Sequence, residues 1–199
     1  MAPSLIVRQA VREPMTINEL VRIAKAHIDP SRLGVIVVPP YGEVSVQCGS
    51  TTSELCIFLV FPHKNNPVFG HYVCTIDRSA EDLTSFFNPY GGSACLSIIK
   101  PYIPAHHRVS INGTAFEKHS SQVNTCGPWT IVRLMYSDLS DADFAHVMRH
   151  KKDSDIVKLL LTPVNKDSEA GGSEQVVERI PIRAVPPSHH NEGKKPDTP

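Results

Sequence analysis

Four side chains in this sequence have the types, and stand in the order, that thiol-based acyl chemistry needs: His71, Asn88, Gln122 and Cys126. Cys126 sits between Thr125 and Gly127 and opens an apolar run, Ile131, Leu134, Met135 and then Leu139, whose spacing is helical. The thiol is therefore expected in a first helical turn, where the helix dipole and unpaired backbone N–H groups favour an anion and ease its deprotonation. A cysteine hydrolase further needs a base for the thiol proton, a group that holds the base in one tautomer, and donors for the oxyanion of the tetrahedral intermediate. His71, on a strand beside Gly70, is the candidate base. Asn88 ends the neighbouring strand, from which its side-chain carbonyl can accept the imidazole N–H. Being neutral, it orients the ring but stabilises imidazolium less than a carboxylate does. Gln122 offers an amide N–H beside the backbone N–H of Cys126, completing an oxyanion hole.

Each of these has a plainer reading. A lone cysteine commonly packs as a small apolar group, His71 is one of ten histidines, Asn88-Pro89 is an ordinary turn start, and Gln122 is an ordinary loop residue. Their joint occurrence around a helix-opening Cys-Gly favours the chemical reading. His119 competes with His71 as base by proximity in sequence, and Asp77 or Asp82 replaces Asn88 as orienter if the strand register differs.

The elements that must position these groups are legible in outline. Thr16-Ile17-Asn18-Glu19 has the form of a capping box ahead of a helix over about 17–28, ended by Asp29-Pro30. Strands are expected at 35–38, 44–48 and 55–61, the last apolar throughout and so central and covered on both faces. A fourth follows at 70–77 and a fifth at 83–88, closed by the turn signal Pro89-Tyr90-Gly91-Gly92. Leu96 to Ile99 reads as a helical turn or two, and 108–112 as a further strand. The Cys126 helix is expected to run to about Leu139, a second to be capped by Ser140 or Asp141, and a third to cover 153–161. Residues 1–163 are expected as one domain. The stretch 164–199, rich in Pro, Gly, Ser and charge, is expected as a mostly disordered tail.

A chain of 199 residues can bury a substantial core. Its 20 basic and 20 acidic residues cancel, which argues against nucleic-acid partners and membrane attraction. Five scattered cysteines without a C-x-x-C pair indicate a reducing compartment and no structural zinc. No stretch has the ~18 apolar residues of a membrane span, and the first ten residues lack a signal-peptide core. A soluble intracellular protein is expected.

Gly70-His71-Tyr72-Val73, Phe86-Phe87-Asn88-Pro89-Tyr90-Gly91, and Gln122 with Thr125-Cys126-Gly127-Pro128-Trp129 resemble the adenain and Ulp1-type cysteine proteases (clan CE), including relatives in large DNA viruses. The resemblance covers roughly residues 55–136. It implies an α+β fold, a central mixed β-sheet flanked by helices with the nucleophile at a helix N-terminus. It also implies a triad of His71, Asn88 and Cys126, with Gln122 and the Cys126 N–H as the oxyanion hole. Two features depart from the family: Asn88 stands where an acid is more usual, and Gln122 precedes Cys126 by four positions, a shorter gap than the family leaves. The implied activity is hydrolysis of a peptide or isopeptide bond through a thioester, without metal or cofactor, in a monomer. The implied substrates are viral precursors or ubiquitin-like proteins cut at Gly-containing sites, in host cytoplasm or nucleus or packaged in a virion. Gly171-Gly172-Ser173 in the tail is a candidate self-processing site. The competing readings are a deubiquitinase or deSUMOylase-like isopeptidase, an acetyltransferase, and a catalytically inactive protease-fold binder.

Overall fold

The strand signals converge on one six-stranded mixed sheet in a computed structural model that describes residues 5–39, 43–61, 70–117 and 123–162. Gln122, His119 and the tail expected at 164–199, with its Gly171-Gly172-Ser173, lie outside the described residues. The central strand is β3 (Leu55–Val60), buried at every position as its unbroken apolar sequence requires. It pairs in parallel with β1 (Leu33–Val38) and antiparallel with β4 (His71–Arg78). Beyond β1, the short exposed β2 (Ser45–Cys48) forms one edge. Beyond β4 come antiparallel β5 (Leu83–Phe87) and then β6 (Arg108–Ile111), parallel to β5, at the other edge. The order is β2-β1-β3-β4-β5-β6.

Both faces of the sheet are covered. On one, Cys56, Phe58 and Val60 of β3 join Ile36, Val73 and Phe86 against Ile99 of the short helix α3 (Leu96–Ile99) and Tyr102 of the 3-10 turn that follows. On the other lies α4 (Cys126–Met135), packed along β4 and β3. Helices α1 (Leu5–Arg12), α2 (Ile17–His27) and α6 (Asp153–Leu161) gather around it, while α5 (Asp141–Met148) contributes Phe144 and Met148 to the core. The fold is thus α+β. Among the described residues no helix is long and apolar enough to cross a membrane.

Local chemistry explains most boundaries. The capping box forms: Thr16 Oγ1 accepts the Glu19 N–H at 3.2 Å, and the Glu19 carboxylate accepts the Thr16 N–H at 2.9 Å. Ser140 caps α5 by accepting the Asp143 N–H at 3.1 Å. Two features differ from expectation. The N-terminal lead contains α1, whose last carbonyls are taken by Asn124: its backbone N–H donates to Val11 O at 2.9 Å and its Nδ2 to Arg12 O at 2.6 Å. In addition, α4 ends at Met135 and not near Leu139. The buried Arg133 guanidinium donates to the carbonyls of Tyr136 (2.9 Å) and Leu139 (3.1 Å), and Arg78 donates to those of Ser137 (2.6 Å) and Leu139 (2.8 Å). These arginines satisfy the carbonyls that a longer helix would have bonded internally.

Candidate active site

His71 opens β4, paired with Val60 at the end of β3. Its Nε2 lies 3.0 Å from Asn88 Oδ1. Asn88 follows the last residue of β5 and is buried, and its amide can face only one way. Nδ2 donates to the carbonyls of Gly91 (3.3 Å) and Ala94 (3.4 Å), which leaves Oδ1 to accept from the Tyr90 N–H (3.1 Å) and from His71. An acceptor at that place assigns the proton to His71 Nε2 and the lone pair to Nδ1. The Tyr90 ring stacks on the imidazole, with centroids 4.7 Å apart and planes 9° from parallel. The turn behind them needs its glycines: Gly91 has φ +77°, and a Cβ there would stand 3.1 Å from the Ala115 nitrogen.

Asn112, which follows β6, clamps Asn88. Its Oδ1 accepts the Asn88 N–H at 2.8 Å, and its Nδ2 donates to Asn88 O at 2.8 Å and Thr114 O at 3.0 Å. Sequence reasoning missed this residue. Its one signal was an Asn-Gly step closing a short strand.

Cys126 is the first residue of α4, as expected. The helix start is seated on the first residues of β4: Thr130 Oγ1 donates to Tyr72 O at 3.3 Å, and a Cβ on Gly127 would come 3.3 Å from Tyr72 Cδ2. The thiol itself interacts with the Tyr72 N–H, so it lies against the residue next to His71. The structure therefore joins His71 to Asn88 and places Cys126 against Tyr72, the residue next to His71. Asp77 and Asp82 lie elsewhere. Asp77 is six residues along β4 from His71, roughly 20 Å by strand rise, and its carboxylate is 3.5 Å from His107 Nδ1. Asp82 faces His106 at 3.8 Å. Ligand atoms of Asp82, His106 and His107 lie within 4.8 Å of one another, at the opposite end of β4 from Cys126.

The balance at the Cys126 thiol runs against the expected acidification. Burial pushes Cys126 up to about 12, and the charge of Glu117 adds to the effect, while the N–H groups of Tyr72, Gly127 and Cys126 pull down without prevailing. In a crowded site the loss of hydration outweighs the helix-end field. Glu117 is itself unexpected: nothing in its local sequence marks it. Its carboxyl is buried, with Oε1 accepting the Thr125 N–H at 2.8 Å. Burial raises it to about 7 and Asp153 adds to the shift, against hydrogen bonding from Thr125, Cys126 and Tyr90. The Thr125 hydroxyl and the Trp129 indole N–H, the latter at 2.8 Å, both donate to Asp153 Oδ1.

A separate cavity of about 490 Å³ lies between α1, α2 and α6, lined by Met15, Ile23, Pro128, Val157 and Leu160 among others. It adjoins the first turn of α4 but is lined by none of His71, Asn88 and Cys126.

The class defined by the fold is an α+β protein with a mixed sheet, in which a helix-opening cysteine lies against the residue next to a histidine held by a buried asparagine. No family model matches the chain. It is similar to the Sputnik virophage protein named "Uncharacterized protein V9", at 28% identity over 109 residues, covering 45% of this chain and 59% of that protein. The chain thus spans about three fifths of the length of the curated relative it matches.

Proposed function

We propose that this chain is a cysteine endopeptidase of the adenain/Ulp1-like type that cleaves peptide bonds at Gly-containing sites in viral precursor proteins. The observation that carries the reading is the 3.0 Å hydrogen bond between His71 Nε2 and an Asn88 Oδ1 whose orientation is dictated by its own donors. It assigns the basic lone pair to His71 Nδ1, on the residue next to Tyr72, whose N–H the Cys126 thiol approaches. Similarity to a virophage protein supports the viral assignment.

Because the resting thiol is neutral, its proton moves during the attack and not before it. His71 Nδ1 takes the Cys126 proton as sulfur bonds to the scissile carbonyl carbon, and the oxyanion that forms receives the Cys126 N–H. Collapse breaks the C–N bond, the leaving amine takes the proton from His71, and a thioester remains. Water, deprotonated by His71, then attacks the thioester, and the acid product and free thiol are released. Imidazolium is only transient on this path, so a neutral orienter such as Asn88 suffices. Gln122 is the further oxyanion donor in this scheme. No cofactor or metal takes part, and the partner is a protein or peptide substrate inside the host cell.

One observation favours a second reading, a protease-fold binder without activity: the upward-shifted thiol of Cys126. Fluorogenic peptides with Gly-Gly before the scissile bond, and amides of ubiquitin-like C-termini, separate the two. Under the endopeptidase reading the peptides are hydrolysed, Cys126→Ala abolishes turnover, and His71→Ala lowers kcat/KM by about 10²–10⁴. Preference for the ubiquitin-like amides points instead to the isopeptidase. Hydrolysis that survives Cys126→Ala, or its absence in the unaltered chain, overturns the proposal.

A further inference from the structure

The proposed chemistry leaves one buried carboxyl beside the nucleophile unused. Glu117 is 3% exposed, and the chain holding it is tied to the Asn88 turn, with the N–H groups of Phe116 and Glu117 both donating to Pro89 O at 2.8 and 3.1 Å. The N-cap of α4, Thr125, does not cap the helix with its own hydroxyl, which goes to Asp153. Glu117 reaches the head of the helix from outside it, its Oε1 accepting the N-cap residue's own N–H, that of Thr125, at 2.8 Å. Its other oxygen, Oε2, is buried with no hydrogen bond of good geometry, although the Cys126 N–H and the Tyr90 hydroxyl approach the carboxyl. The carboxyl thus stands at the helix end whose next N–H, that of Cys126, already acts on it and would serve the oxyanion.

We propose that Glu117 is a positioning residue that sets the charge state of the Cys126 site, silencing the thiol when its carboxyl is ionised and releasing it when the carboxyl is neutral. The inference rests on the reading of Cys126 as nucleophile. An ionised Glu117 opposes a second negative charge on the sulfur or the oxyanion and competes for the helix-end N–H groups. A neutral Glu117 removes that charge, and its Oε2 hydroxyl becomes a donor where a donor is needed, as a neutral buried carboxylic acid can. The groups that act on it are Asp153 of α6, Cys126 of α4 and Tyr90 of the Asn88 turn, none of them a cation. Tyr90, stacked on His71, connects the carboxyl to the base. With burial holding Glu117 near 7, the changeover falls close to neutral pH.

The test follows iodoacetamide labelling of Cys126 by mass spectrometry in the full chain from pH 5.5 to 9. Ordinary thiol labelling rises with pH. Here the unaltered protein is expected to stay suppressed above pH 7, while Glu117→Gln, whose amide oxygen still accepts the Thr125 N–H, labels about tenfold faster at pH 8, the equivalent of one pKa unit. Superimposable pH profiles overturn the proposal and leave Glu117 as an anchor for the Thr125 N–H. A second measurement needs no variant: carboxyl carbon NMR of the unaltered chain is expected to show one Glu titrating near neutrality, at the pH where Cys126 labelling departs from the ordinary thiol rise. No Glu titrating near that pH overturns the proposal. Neither readout depends on hydrolysis, so the gate and the endopeptidase reading fail separately.

Discussion

Asn88 places a neutral amide where a carboxylate would support imidazolium better, and its surroundings explain the choice. Two carbonyls, Gly91 O and Ala94 O, face its Nδ2, and a carboxylate would present oxygen to both. Asn88→Asp is therefore expected to destabilise the fold by about 1–3 kcal/mol, the cost of buried acceptors left without donors. Urea unfolding at pH 8 reads this directly, and an unchanged midpoint would mean that the amide faces the other way. Asn112→Ala should cost about as much, because it removes three hydrogen bonds around the same turn.

At the scale of elements, the helix that carries Cys126 owes its length to Arg133 more than to its own propensity. This guanidinium is fully buried, pairs with Asp141 at 3.0 Å, lies 5.0 Å from the Phe144 ring centre, and ties the chain after α4 to the start of α5. Arg133→Met is expected to cost about 3–5 kcal/mol, since it removes the cation paired with Asp141 and the donor to Tyr136 O. A smaller loss in chemical denaturation would show that the α4–α5 corner is held by its apolar contacts instead. Helix α1 makes the converse point. Eight residues are too few to be helical alone; they are so here because α6 packs against them and Asn124 receives their last carbonyls. Neither partner is local in sequence.

For the molecule as a whole, Glu117 ties stability to pH. Its carboxyl is raised from 4.5 to about 7 on folding, so between those values the folded chain holds a proton that the unfolded chain has lost. The resulting stabilisation is present in full below about pH 4.5 and is lost as pH rises through 7, amounting to about 3 kcal/mol. Unfolding free energies at pH 5 and pH 8 should differ in that direction, and Glu117→Gln should flatten the difference. Stability that increases over this range in the unaltered chain, with no change in the variant, would remove Glu117 as its source.

Elements whose conformation depends on neighbours in sequence could be read without the structure. The Thr16-Glu19 capping box, the unbroken apolar β3, the turn after Asn88 and the helix starting at Cys126 all follow from local periodicity, caps and turn residues. Tertiary structure alone decided the strand order, with its parallel β1–β3 and β5–β6 pairs, because register between distant strands is a matter of packing. It also decided that Asn112 clamps Asn88 and that Glu117 stands at the head of α4. The thiol shows the division most plainly. Its position was a local property and could be foreseen, whereas its proton affinity depends on desolvation and on a carboxylate brought in by the fold.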